Sequence, residues 1–170
     1  IYVRAVAHRS TAMPVRASAL RSLGAHLNVF ATESHMDELA QACDTDPAEF
    51  RLRHLTDPRA IAVIETVIQA AAWDQARPDD TGMGLGFARY KSSGAWCAVV
   101  AQVEAVSEVR VTNLWIAVDC GRVINPDGVV NQIEGGAVQS LSWTLKEQVR
   151  FGAGAVVSDT WEEYPIARFT

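Results

Sequence analysis

The spacing of apolar residues along the chain changes twice. In residues 34–43, Met36, Leu39, Ala40 and Cys43 recur at intervals of three and four with Asp37 and Glu38 outside them, which predicts a helix with one apolar side. Ile61, Ile64, Ile68, Ala71 and Ala72 repeat that spacing. Beyond Trp73 the period shortens to two. Residues 84–90, 95–105 and 109–118 read as strands, the last alternating Arg110, Thr112, Leu114 and Ile116 against Val109, Val111, Asn113 and Trp115. After Pro126 the helical period returns, with Val129, Ile133, Ala137, Leu141 and Leu145 at every fourth position.

Three Asx-Pro pairs mark helix starts. Asp46-Pro47, Asp57-Pro58 and Asn125-Pro126 each offer a side-chain acceptor at the N-cap and a proline at the first helical position, where a missing N–H costs nothing. Glu49 stands where it would close a capping box on Asp46. Residues 77–82 form a loop by composition, and Ser92-Ser93-Gly94 separates the first two strands. The Ser107-Glu108 connection predicts a hairpin, and Phe151 with Ala155-Val156-Val157, turned at residues 152–154, predicts another. Runs of helix and runs of strand imply an α+β fold of about four helices packed on a small, mainly antiparallel sheet. The expected layout is a single fragment, 1–170, mainly helical over 30–73, with strands over 84–118, a long helix over 126–147 and a terminal hairpin over 148–170.

Composition narrows the function classes. At 170 residues, 49% apolar and 21% charged, the chain has the make-up of a folded globular protein rather than a disordered one. Lys+Arg 15 against Asp+Glu 20 gives a net charge of −5, which argues against a general nucleic-acid or anionic-membrane binder. The longest apolar run, residues 95–101, is strand-sized and far short of the roughly 20 residues of a membrane helix. Cys43, Cys97 and Cys120 are odd in number and widely spaced, so they read as buried or partly buried free thiols rather than zinc or iron–sulfur ligands. The chain opens on Ile1 without an initiator Met or signal peptide and stops directly after extended chain, so both ends look cut from a longer polypeptide.

Candidate chemistry is sparse. A dinucleotide fingerprint, a phosphate loop and a nucleophile elbow are missing, and Gly82-x-Gly84-x-Gly86 leads into a strand rather than a helix. His8, His26, His35 and His54 are scattered. His35 and His54 read as helix-surface residues and His8 as loop or strand end, while His26, close to Gly24, is the one candidate for a functional contact. Residues 19–28 place Arg21, Gly24 and open N–H groups ahead of a helix, either a capped turn or a seat for an anion. Residues 119–136 end in Gly135-Gly136, a pair that costs about 1 kcal/mol per residue relative to Ala inside a helix. Tight helix packing or a ligand would account for that cost, and Gln132, one turn upstream, offers amide donors and an acceptor.

Five ordered motifs carry a resemblance: Leu20-Arg21-Ser22-Leu23-Gly24-Ala25-His26 with Glu33-Ser34-x-Met36-Asp37-Glu38-Leu39-Ala40; Asp46-Pro47-x-Glu49-Phe50-Arg51; residues 118–126; Asn131-Gln132-Ile133-Glu134-Gly135-Gly136; and Trp161-x-x-Tyr164-Pro165-Ile166-x-Arg168-Phe169. Together they resemble the molybdopterin-binding large subunits of the xanthine dehydrogenase/aldehyde oxidase family, most closely the bacterial isoquinoline 1-oxidoreductase type, over nearly the whole chain. The resemblance implies a piece of a larger molybdopterin-binding domain from an enzyme that inserts water-derived oxygen at an electron-poor carbon of an N-heterocycle or aldehyde. The cofactor would be molybdopterin in its cytosine dinucleotide form, and the electrons would leave through [2Fe-2S] clusters of a small partner subunit.

Matched position by position, Arg21, Ser22 and Gly24 correspond to the family's loop near the molybdenum, and Leu23 to a substrate-pocket position that often holds an aromatic residue. Gln132 corresponds to a glutamine that hydrogen-bonds the pterin. The family's Gly-Gly-Phe-Gly and Gly-Gln-Gly loops are absent and are expected upstream of Ile1. The catalytic glutamate is expected in a Gly-x-Gly-Glu motif beyond the Tyr-Pro-Ile stretch, so no residue here is assigned as catalytic base or metal ligand. Glu33, Glu134 and Glu147 read as structural, and the isolated fragment is expected to be inactive. A non-catalytic scaffold or small-molecule-binding domain that retains the fold is the alternative, and the compartment implied is bacterial cytoplasm or periplasm.

Overall fold

A computed structural model describes residues 4, 6, 21–91 and 94–168. The expectation for His8 falls outside them. In chain order the elements are α1 (Ala25–Ala42), α2 (Pro47–His54), α3 (Pro58–Ala70), β1 (Thr81–Tyr90), β2 (Ala95–Ala105), β3 (Val109–Asp119), α4 (Pro126–Leu145), β4 (Phe151–Gly152) and β5 (Ala155–Val156). Helices and a three-stranded antiparallel sheet in the order β1-β2-β3 make the fold α+β, as the periodicity predicts. The chain divides into two compact units: Ser22–Ile133, and a second that holds residues 134–168 together with Arg21.

The aspartate caps form as the sequence predicts and also take a second partner. Asp46 Oδ1 accepts from the N–H groups of Ala48 and Glu49, while its other oxygen accepts from the Trp73 indole at 2.8 Å. Asp57 repeats the arrangement, with Oδ1 on the Arg59 N–H at 3.0 Å and Oδ2 on the Trp96 indole at 2.8 Å. Each N-cap therefore satisfies a helix terminus and a tryptophan together. Glu49 does not close the capping box; its carboxylate pairs with Arg53 one turn on, the usual i,i+4 alternative. The first helix starts at Ala25, nine residues before the predicted start at residue 34. The added turns carry Leu27 and Phe30, 69% and 70% exposed, so the apolar side visible in the sequence covers only the helix's second half.

The Ser22–Ile133 unit has the buried core. Ala60, Val63, Ile64 and Val67 of α3 pack against Leu85, Trp96, Ala98, Val100 and Ala117 of the sheet. Beneath α1, Arg51 is 3% exposed and engaged through all three of its nitrogens. Its Nε donates to Glu33 at 2.9 Å, Nη1 donates to Asp37 at 2.7 Å and to the Pro47 carbonyl, and Nη2 donates to the Glu33 carbonyl. Glu33 Oε2 also accepts the Phe87 N–H at 2.8 Å, which ties the free edge of β1 to α1. Between Gln102 and Val103 the β2–β3 register shifts by one residue, a bulge that gives Thr112 no direct partner.

In the second unit, Tyr164 donates to Glu147 at 2.7 Å and the Ala167 N–H to Ser142 Oγ at 2.9 Å. The β4–β5 hairpin turns on Ala153 and Gly154, at φ 48° and 84°, as a two-residue turn with both central residues left-handed. Cys43 is exposed, against the expectation of burial, because it follows the solvent-facing end of α1; Cys97 and Cys120 are half-buried free thiols.

Candidate functional site

The turn ahead of α1 is strained. Ser22 and Leu23 have φ of 75° and 54°, a region that costs a non-glycine residue roughly 1–2 kcal/mol. The Ala25 N–H closes the turn on the Ser22 carbonyl at 3.0 Å. Gly24 occupies the N-cap without a side-chain cap, and the first turn of α1 holds no acidic residue. The helix therefore presents the positive end of its dipole uncompensated by any capping side chain. Leu23 is 59% exposed, a large apolar side chain that this chain leaves in solvent. His26 lies exposed in the first turn of α1.

Arg21 and Gly136 meet in the second unit. A Cβ on Gly136 would stand 3.5 Å from the Arg21 guanidinium, and Arg21 Nη1 donates to Gln139 Oε1 at 3.4 Å. The neighbour of Gly136 on that side is thus an arginine side chain, at a distance a Cβ would reach as ordinary van der Waals contact. Gly135 is different: nothing lies within 4 Å of its Cβ position. Gln132 is exposed on α4, four residues before Gly136, the spacing that stacks residues along one helix face. Asn125 caps this helix by accepting the Gly128 N–H at 3.0 Å.

The loop leading into α4 is held by a residue that periodicity does not single out. Arg59 donates through Nε to Asp119 Oδ2 at 2.6 Å and through Nη2 to Oδ1, a two-pronged grip, and its guanidinium lies 3.6 Å from the centroid of the Trp96 ring. Asp119 Oδ1 also accepts the N–H of Gly121, which sits at φ +78°. The Arg59 hydrogen bonds, then the Gly121 N–H, lower the Asp119 pKa to about 2. Asp57, below its ordinary value chiefly because of the Trp96 indole, borders a cleft of about 280 Å³ that Phe87 and Arg89 also line. Among the described residues, no three His, Cys, Asp or Glu come together as metal ligands.

The sequence profile of the molybdopterin cofactor-binding domain matches residues 3–170. The chain belongs to that family. Among its relatives, a nicotinate dehydrogenase subunit of Pseudomonas putida is 43% identical over 91% of this chain and 15% of its own length. The isoquinoline 1-oxidoreductase beta subunit of Brevundimonas diminuta is 37% identical over 89% of this chain and 20% of its own. A membrane-bound aldehyde dehydrogenase of Gluconacetobacter polyoxogenes, whose name specifies pyrroloquinoline quinone, is 31% identical over 98% of this chain and 24% of its own. The chain thus spans about a quarter or less of each relative's length. No helix among its described residues is long and apolar enough to cross a membrane.

Proposed function

We propose that the parent polypeptide is the large subunit of a molybdenum hydroxylase, that it oxidises an N-heterocycle or an aldehyde with water-derived oxygen, and that the 170-residue fragment alone is inactive. The observation that carries this reading is similarity over about nine-tenths of the chain to subunits named for nicotinate and isoquinoline, both N-heterocycles. Molybdopterin, in the cytosine dinucleotide form, is the proposed cofactor, with [2Fe-2S] clusters in a small partner subunit as the electron exit. When bound, the cofactor supplies the redox chemistry.

This chain's part is to bind and orient. The uncapped N-terminus of α1 and the backbone of Ser22 and Gly24 suit an anionic group. Arg21 is proposed as a cofactor-binding residue from its match to the family's loop. Gln132 and the open space at Gly135 suit a flat ring system that both donates and accepts hydrogen bonds. Leu23, exposed on its strained turn, is the proposed substrate-pocket residue. Glu33 and Glu147 are already engaged, by Arg51 and by Tyr164, so the general base is assigned elsewhere in the parent polypeptide.

Gln132→Ala in the full-length enzyme tests the reading. Leaving a buried pterin group unpaired should weaken cofactor binding by about 1–3 kcal/mol. The fold should hardly change, because Ala is the better helix former. The expected result is lower molybdenum content with an unchanged melting temperature of the cofactor-free protein. Normal occupancy with lower stability would reassign Gln132 to a structural role. A full-length protein that takes up no molybdenum in a cofactor-competent host would favour the non-catalytic scaffold.

A further inference from the structure

Among the described residues, only one face of the sheet is accounted for. Leu85, Trp96, Ala98, Val100 and Ala117 point toward α3 and are buried. The pleat turns their neighbours to the opposite face. There, Cys97, Val99 and Ala101 of β2 lie beside Leu114, Ile116 and Val118 of β3, with Val99 paired to Ile116 and Ala101 to Leu114. These six are apolar, half-buried and absent from the cluster beneath α3. On β1 the same face carries Gly82, Gly84, Gly86 and Ala88, with Tyr90 at its end; Gly84 and Gly86 lie opposite Ala101 and Val99. A Cβ at either would meet nothing within 4 Å among the described residues.

Four observations indicate what belongs on this face. Residues 95–101 are apolar at every position, the pattern of a strand covered on both sides, whereas a sheet with one wet face alternates apolar with polar. Glycine inside a regular strand often marks a place where another backbone or a ligand comes close. Between Gly84 and Ala88, Cys97 and Ala101, and Leu114 and Val118 the face offers no charged side chain and no hydrogen-bonding one but the Cys97 thiol, with the Tyr90 hydroxyl at its end, so it suits polypeptide and not a polar cofactor. In the relatives, more than three quarters of the polypeptide lies outside the region matched by this chain.

We propose that this second sheet face is an internal docking surface, covered by an apolar segment from elsewhere in the same large-subunit polypeptide whose backbone passes closely over Gly84 and Gly86. The proposal rests on the reading of the chain as part of a longer large subunit. Its test does not use the cofactor, so failure of the proposed chemistry and failure of the docking surface are separable. In the cofactor-free full-length protein, Gly84→Leu should lower the melting temperature by several degrees and Gly84→Ala by less. An uncovered face would tolerate both, or gain from a better strand former.

Because Gly84→Leu can fail to fold, Gly84→Cys supplies a second measurement: maleimide labelling of the native large subunit expressed alone, compared with the same protein in denaturant. Covered, the new thiol labels at least tenfold more slowly in the native state. Rapid native labelling overturns the proposal. So does protection that disappears on dilution to a monomer, which would make a second copy the cover, or protection that requires the small subunit.

Discussion

Helices α3 and α4 begin alike and end differently. Each opens on an Asx-Pro pair whose side chain accepts a backbone N–H, and each carries aliphatic residues at intervals of three and four. In α3, Ala60, Val63, Ile64 and Val67 are buried within 13 residues, whereas the 20 residues of α4 bury only Ser142. A capped, amphipathic sequence is enough to make a helix. Whether its apolar side is hidden depends on a neighbour, which α3 finds in the sheet of its own unit.

The contrast is sharpest where α3's unit carries charge in its interior. Arg51→Met should be the most damaging change in that unit, because it leaves the Glu33 carboxylate without its cation. The expected loss is about 3–5 kcal/mol in denaturant unfolding of the full-length protein. A loss under 1 kcal/mol would mean that the buried pair is not what joins α1 and α2. Ile64→Ala, at a site with no exposure, should cost about 2–5 kcal/mol by the same measurement.

Asp119→Asn probes the link from α3 to the strand that feeds α4. The Asp119 pKa, lowered to about 2 from the ordinary 3.8, makes its contribution fully present above the unfolded value and lost as the pH falls toward 2. The melting-temperature gap between the wild type and Asp119→Asn should therefore be largest at pH 5–6 and close between pH 4 and 2. A gap independent of pH would exclude the ionised pair as its source. The smallest effect is expected on α4. Val130, 50% exposed, should tolerate Ala within about 0.5 kcal/mol if the parent polypeptide leaves that side open. A larger loss in the full-length protein would identify Val130 as a contact.

The features that could be read from residue order are mostly local. The three helix starts at Pro47, Pro58 and Pro126, the strand–hairpin–strand run from β2 to β3 and the β4–β5 turn all depend on residues a few positions apart, so composition and period were enough to place them. The family was legible for a related reason: short motifs keep their order and spacing in the chain. The first half of α1 escaped because its exposed Leu27 and Phe30 continue no core-facing side.

Tertiary structure alone decided which groups meet across long separations. Arg51 reaches Glu33 over 18 residues and Arg59 reaches Asp119 over 60. Arg21 meets Gln139 over 118 residues and lies against Gly136, while Gly135 stays open. It also sent Glu49 to Arg53 rather than to the cap of its own helix. Such pairings depend on how folded elements are placed in space, and neither helical nor strand periodicity carries that information.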